Sequence, residues 1–340
     1  MSGHGRPGTE IGVIGAGSWG TALTIQLARA GQHPTLWGRE PEVIQALTEQ
    51  RCNSVFLPDV PLPETVQIEA DLHALVAGHR DLLVCVPSHV FRAVLESIRA
   101  DLRADARVAW ATKGFELSTG CLPHQVAQES LGSEVPLAVV SGPTFAREVG
   151  LGLPTAMTVA ATDEMFADEL AWRFADANFR AYTSNDMIGV EVGGAVKNVL
   201  AIATGMSDGL GFGANTRVAL ITRGLAEMTR LGVALGASAD TFAGLSGMGD
   251  LVLTCTDNQS RNRRMGLALA AGKDIDTVAA EIGQVVEGVK AAAAVRTVAQ
   301  KLAVDMPICE QVYRILYAGV APSEAVGALM QREVKAEDRL

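Results

Sequence analysis

Residues 13–20, VIGAGSWG, decide how the first half of this chain is read. An apolar run breaks into glycines at Gly15, Gly17 and Gly20, with Trp19 between the last two, which fits G-x-G-x-x-G. The motif alone is weak. Here it follows a predicted strand, IGVIG (11–15), and opens a predicted helix over 21–30, the context it requires. Gly15 then permits the tight turn, Gly17 lets the backbone approach a pyrophosphate, and Gly20 lets helix and strand pack closely. A helix N-terminus at this point offers unpaired N–H groups and partial positive charge to phosphates. A glycine-rich turn with no ligand is the bland alternative, and the strand–turn–helix context favours the dinucleotide site over it.

Working outward, PTLW (34–37), LLVCVP (82–87), RVAWAT (107–112), PLAVVS (136–141), TAMTVA (155–160) and FRAYT (179–183) read as further strands. Several lack polar alternation, as strands buried on both faces do. Amphipathic stretches such as 90–102 and 122–131 lie between them. This alternation predicts βαβ units in a Rossmann-like, doubly wound, mostly parallel α/β sheet. FLPDVPLPETV (56–66), with its three prolines, reads as an irregular loop. Beyond about Asn185 strand signals fade, and helices are predicted over 188–206, 217–235, 261–271, 275–283, 288–303 and 308–318. The expected organisation is a dinucleotide-binding domain over 1–186 and an all-α domain over 187–340 for substrate binding and dimerisation. The ligand is expected between them.

Composition narrows the function classes. At 340 residues and 48% hydrophobic, the chain can build two full cores. A net charge of −10 argues against a nucleic-acid surface. Five scattered cysteines without a CxxC read as reduced thiols, and no histidine has a partner at metal-ligand spacing, so no metal is expected. The opening MSGHGRPGTE has no apolar core of a signal peptide. The longest apolar helical candidate, 192–207, carries Gly193, Gly194 and Lys197 and reads as a poor membrane span. A cytoplasmic protein without membrane insertion is expected.

The second strand should end near an acidic residue where NAD is the cofactor. Gly38 and Arg39 stand there instead, which suits a 2′-phosphate and favours NADPH over NADH; the adjacent Glu40 could reach a ribose. Two lone charges stand out further along. VGGAVKNVLAIATGMS (192–207) carries only Lys197, and TFAGLSGMGDLVLTCT (241–256) only Asp250. An unpaired buried ammonium is costly, so Lys197 either snorkels to water or has a partner and a task. Asp250 alone would read as a helix N-cap. Together they suggest a carboxylate–ammonium pair in a cleft. Lys113, in ATKGFE, follows a predicted strand at the edge where open α/β sheets bind ligands. Ser260, Arg261 and Asn262 open a predicted helix, a seat for a phosphate, although such a run is more often a solvated helix start. Thr144, in SGPTFA, either caps a short helix or meets ligand.

Taken together, VIGAGSWGTAL, NSVFLPDVPLP, VPSHVF, WATKGFE, SGPTFAREV, GGAVKNVLAIATGMSDGLGFGANTR, GMGDLVLTC, DNQSRNRRMG and GQVVEG resemble the bacterial NAD(P)-dependent glycerol-3-phosphate dehydrogenases. The resemblance runs in order over nearly the whole chain. It implies reversible reduction of dihydroxyacetone phosphate to sn-glycerol 3-phosphate, a phospholipid precursor, by a homodimer. Residue by residue, it implies that Ser18, Trp19, Arg39, Ala146, Val285 and Glu287 touch cofactor and that Lys197 is catalytic. It likewise assigns substrate contacts to Lys113, Gly142, Thr144, Lys197, Asp250, Ser260, Arg261 and Asn262, with Lys113 and Arg261 also reaching cofactor. Some relatives carry tyrosine or phenylalanine where Trp19 stands, a modest departure. The alternatives are a related two-domain reductase of β-hydroxyacids or ketopantoate, and an NADPH-binding sensor without catalysis.

Overall fold

A computed structural model describes residues 9–331. These fall into two compact units, one comprising the chain up to Thr112 with His124–Met187, the other Lys113–Pro123 with the chain from Ile188 on.

The first unit is built on an eight-stranded sheet. Its strands are β1 (Glu10–Ile14), β2 (His33–Trp37), β5 (Gln67–Glu69), β6 (Asp81–Val84), β7 (Arg107–Trp110), β8 (Leu137–Ser141), β9 (Thr155–Ala161) and β10 (Phe179–Ser184). The order is β10-β9-β8-β7-β6-β1-β2-β5, and every pairing is parallel except β8 with β9. The strands that read as continuous apolar runs, β6, β7 and β8, are buried at every position. Helices α1 (Ser18–Arg29), α2 (Pro41–Glu49), α3 (Leu72–Gly78), α4 (Ser88–Ile98), α5 (Pro123–Leu131), α6 (Ala146–Leu151) and α7 (Glu164–Phe174) connect them. The helix α4 buries Phe91, Leu95 and Ile98, the i, i+4, i+7 stripe of an amphipathic helix. The chain leaves β1 towards β2 and later returns to β6 on the other flank, so strand order reverses beside β1. That is the switch point at which open α/β sheets bind ligands.

One expectation needs correction. Within the stretch read as an irregular loop, β4 (Leu57–Pro61) pairs antiparallel with β3 (Cys52–Asn53). Directly after it, β5 adds an edge strand beside β2. Proline is admissible in so short a two-stranded ribbon because an edge position needs no N–H on both sides.

The second unit is helical: α8 (Met187–Gly209), α9 (Ala214–Ala234), α10 (Asp250–Thr256), α11 (Arg261–Ala270), α12 (Ile275–Ile282), α13 (Glu287–Lys301), α14 (Pro307–Ala318) and α15 (Pro322–Met330). Neither α10 nor α15 is evident from apolar periodicity; both are too short to show it. Val192, Val196, Val199 and Ala203 of α8 meet Met228, Leu251, Val295 and Val312 in one core. By length and hydropathy α8 could cross a membrane, despite the glycines and lysine that read against it, and 94% of its most apolar window is buried inside the protein. Lys113–Pro123, contiguous in sequence with the first unit, contributes Phe115 and Leu122 to this helical core.

Candidate active site

The glycine turn after β1 has the geometry a dinucleotide demands. Gly15 has φ +119, open only to glycine without strain, and a Cβ there would lie 2.5 Å from the Cys85 carbonyl oxygen. A Cβ on Gly20 would overlap the Gly15 carbonyl oxygen, whereas one on Gly17 would meet nothing within 4 Å. Gly15 and Gly20 are therefore fixed by packing, and the backbone at Gly17 stands clear for a ligand to approach. Gly17 is the N-cap of α1 and offers no side chain to the first-turn amides, which suits them to a pyrophosphate. The buried indole N–H of Trp19 has no hydrogen-bond partner among the described residues, a further donor at this cradle. The residues thus fit a dinucleotide.

Other predicted cofactor and substrate contacts lie around the same sheet edge. Ser18 Oγ donates to the Phe56 carbonyl at 2.7 Å. Arg39, two residues past β2, is 76% exposed and pairs with Glu40 at 2.8 Å. After β8, Thr144 Oγ1 donates to the Gly142 carbonyl at 3.3 Å, and Ala146 opens α6.

In the helical unit, the two lone charges of the sequence meet. Lys197, 6% exposed on α8, donates from Nζ to Oδ1 of Asp250, which is fully buried at the start of α10. Lys113 Nζ takes the other oxygen, Oδ2, at 2.8 Å. Thr254, one turn along α10, donates from Oγ1 to the Asp250 carbonyl at 2.6 Å and has Oδ1 at 3.4 Å. Burial pushes the Lys197 ammonium down to about 8; Asp250 opposes this and Lys113 adds to it. Burial works against an ionised Asp250, but Lys113 and then Lys197 outweigh it and hold the carboxyl below its ordinary range. A lysine so placed can give up and regain a proton near neutral pH while a fixed carboxylate orients it.

The remaining predicted residues gather at the start of α11. Ser260 is its N-cap, accepting from the Arg263 N–H at 3.2 Å. Arg261 reaches Gln284 at 3.2 Å, and burial lowers its guanidinium against the charge of Glu287. Glu287, first residue of α13, is pushed up by burial, while Arg261, Lys113 and Lys197 pull it down. Val285, two residues earlier, is exposed. Asn262 is already engaged at both ends: Nδ2 donates to Asn198 Oδ1 and Oδ1 accepts from the Gly288 N–H, each at 2.8 Å. Asn198 and Thr254 belong to this cluster and are missed by the sequence reading. The signal for Asn198 is its place beside Lys197, the two being the polar residues of the otherwise apolar run 192–203. Among the described residues, no three His, Cys, Asp or Glu side chains form a metal-ligating group.

A doubly wound sheet with a dinucleotide cradle, joined in one chain to a helical unit holding a buried lysine–carboxylate–lysine cluster, defines a nicotinamide-dependent dehydrogenase. Residues 10–167 match the family model for the N-terminus of NAD-dependent glycerol-3-phosphate dehydrogenase, and residues 186–327 match the model for its C-terminus. The chain belongs to this family. It is 57% identical over 326 residues to glycerol-3-phosphate dehydrogenase (NAD(P)+) of Klebsiella pneumoniae, covering 96% of each chain. With the Aeromonas hydrophila protein of the same name it is 58% identical over 329 residues, 96% of this chain and 98% of the other. The crystal structure of glycerol-3-phosphate dehydrogenase from Coxiella burnetii superposes with a TM-score of 0.93 at 47% identity, covering 96% of this chain and 99% of that one.

Proposed function

We propose that the protein reversibly reduces dihydroxyacetone phosphate to sn-glycerol 3-phosphate with NADPH or NADH, and that Lys197 is the general acid and base. The observation that carries the residue assignment is the Lys197–Asp250–Lys113 cluster, in which an ammonium of lowered pKa is anchored by a buried carboxylate. The bound nicotinamide supplies hydride to the carbonyl carbon, or accepts it in reverse. Lys197, protonated, stabilises negative charge on the carbonyl oxygen and donates its proton there. In oxidation the neutral amine takes the proton back. Asp250 orients Lys197, and Lys113 keeps Asp250 ionised. Arg261, Ser260 and Asn262 bind the phosphate; that remote binding energy positions the reacting carbon. Gly142 and Thr144 complete the substrate contacts.

Gly15, Gly17, Ser18, Trp19 and Gly20 hold the pyrophosphate side of the cofactor, Arg39 its 2′-phosphate, and Ala146, Val285 and Glu287 the remainder. The product feeds phospholipid synthesis in the cytoplasm. A homodimer forms through the helical unit, where Phe212, Val218, Tyr317 and Met330 are exposed apolar side chains.

The test is the loss of NADPH absorbance, and separately NADH absorbance, when dihydroxyacetone phosphate is added to purified protein. Rapid loss supports the assignment. Loss with ketopantoate or a β-keto acid instead would transfer it to a related reductase. Tight NADPH binding without turnover on any carbonyl would leave a sensor.

A further inference from the structure

We propose that Asn53, in the β3–β4 hairpin, is a positioning residue for the dinucleotide turn: it aims the Gly17 N–H at the cofactor pyrophosphate. The proposal rests on the cofactor reading of that turn. Asn53 is 1% exposed, and its side chain is fully engaged. Nδ2 donates to the carbonyl oxygen of Ala16 and to Thr21 Oγ1, both at 2.8 Å. Oδ1 accepts from the Phe56 N–H at 3.0 Å. Ala16 lies between the first two glycines of the turn, and Thr21 in the first turn of α1.

The consequence follows from peptide geometry. The described chain has no cis peptide bonds, and in a trans peptide the C=O and the following N–H point in opposite directions. Holding the Ala16 oxygen against Asn53 therefore turns the Gly17 N–H away from the hairpin. A Cβ on Gly17 would meet nothing within 4 Å, so the turn is uncrowded around the residue whose N–H is turned outward. The Ala16–Gly17 peptide ends on a glycine, whose φ is unrestricted by a Cβ, and a turn built for close approach needs an external brace to keep one orientation. Asn53 supplies it from outside the glycine motif, and the Thr21 bond ties the same amide to α1. Ser18 Oγ, bonded to the Phe56 carbonyl at 2.7 Å, closes the hairpin onto the turn from the other side.

The residue type is specific. Only a side-chain amide presents two N–H bonds to Ala16 and Thr21 while accepting from Phe56. Aspartate would set an anionic acceptor against the Ala16 oxygen, push that carbonyl away and add negative charge behind the turn that receives the phosphates.

The test is NADPH and NADH affinity, read by quenching of tryptophan fluorescence, in wild type, Asn53→Ala, Asn53→Asp and Thr21→Val. Circular dichroism and the thermal midpoint establish that each variant is folded. We expect Kd for both cofactors to rise by the same factor, about tenfold in Asn53→Ala and about thirtyfold or more in Asn53→Asp. Thr21→Val, which loosens the amide without removing it, should raise Kd about threefold. The KM for dihydroxyacetone phosphate and kcat at saturating cofactor should stay within about twofold of wild type, because the brace acts on cofactor seating alone. Unchanged cofactor Kd in the folded variants would overturn the proposal. So would a rise in the substrate KM equal to the rise in cofactor Kd. If Asn53→Asp fails to fold, Thr21→Val decides by the same criterion. Wild type that binds neither cofactor would instead overturn the cofactor reading.

Discussion

The ammonium of Lys197 and the carboxylate of Asp250 meet inside the helical unit, with Asp250 fully buried. Desolvation pushes the lysine down to about 8 and Asp250 holds it up, so its proton is exchangeable near physiological pH. In the general acid–base role proposed for Lys197, reduction needs the protonated form and oxidation the neutral one. The reduction rate should therefore fall as pH rises through about 8, and the oxidation rate should rise over the same range. Asp250→Asn removes the group that supports the charge, so the midpoint should move to lower pH. The kcat–pH profile measured in both directions checks this. A midpoint unmoved by Asp250→Asn would separate the titration from Lys197.

Lys197→Met keeps the length and apolar character of the stem while removing the proton donor. A general acid contributes about 10²–10⁴-fold, and the lost charge stabilisation adds to this, so kcat should fall by roughly a thousandfold or more. The side chain lies in the helical unit, whereas the glycine turn lies in the other. NADPH Kd should accordingly stay within about threefold. Steady-state kinetics and a fluorescence titration on one preparation give both numbers. Appreciable turnover in the variant would exclude Lys197 as the acid.

Much of this architecture is legible in sequence because local rules and tertiary demands agree. Gly15 and Gly20 can be read without coordinates because the positive φ of Gly15 belongs to the turn itself and Gly20 faces the Gly15 carbonyl five residues back. The Cys85 carbonyl that also crowds Gly15 leaves no local signal. The lone charges Lys197 and Asp250 are conspicuous because burial of charge is costly, and their partnership follows from that cost. Lys113 is different: nothing near it in sequence announces that residues 113–123 leave the sheet to pack Phe115 and Leu122 into the helical core. Asn53 is hidden for the same reason, since its partners Ala16 and Thr21 lie more than 30 positions away and nothing adjacent to it in sequence points to them. Asn262 can be read as a polar group at a helix start, but its amide bridge to Asn198 and Gly288 depends on how α8 and α13 pack.

Arg39 and Glu40 set up a test of cofactor choice. Their side chains pair at 2.8 Å and are 76% and 39% exposed. A 2′-phosphate would compete with Glu40 for the guanidinium. Arg39→Ser should weaken NADPH about tenfold and leave NADH within about twofold, because only NADPH carries that phosphate. Glu40→Gln should shift the ratio towards NADPH by about threefold as Arg39 is released. The ratio of kcat/KM for the two cofactors reads both effects, and equal losses with both cofactors in Arg39→Ser would remove the residue from phosphate recognition.

Far from the glycine turn in sequence, Glu227 of α9 substitutes for a missing side-chain cap on α14. Its carboxylate accepts from the N–H groups of Ile308 and Cys309 at 2.6 and 3.1 Å, two first-turn donors that Met306, the N-cap, does not satisfy. Burial pushes Glu227 up from 4.5 to about 7, against these two bonds and the nearby charge of Arg230. Between those values the native state holds a proton that the unfolded chain has released. Its stabilising contribution is thus full below about 4.5 and is lost as pH rises through about 7. The difference amounts to about 3 kcal/mol. Glu227→Gln cannot titrate, so its stability should lack this decline, although an amide satisfies the two N–H groups less well than a carboxylate. Urea unfolding of wild type and variant at pH 5 and pH 8 isolates the contribution of Glu227, since every other titrating group is common to both proteins. The gap between the two proteins should change by about 2–3 kcal/mol over that range, in the direction that penalises wild type at pH 8. A constant gap would mean that Glu227 is ionised throughout and that the α14 amides hold its charge more strongly than burial opposes it.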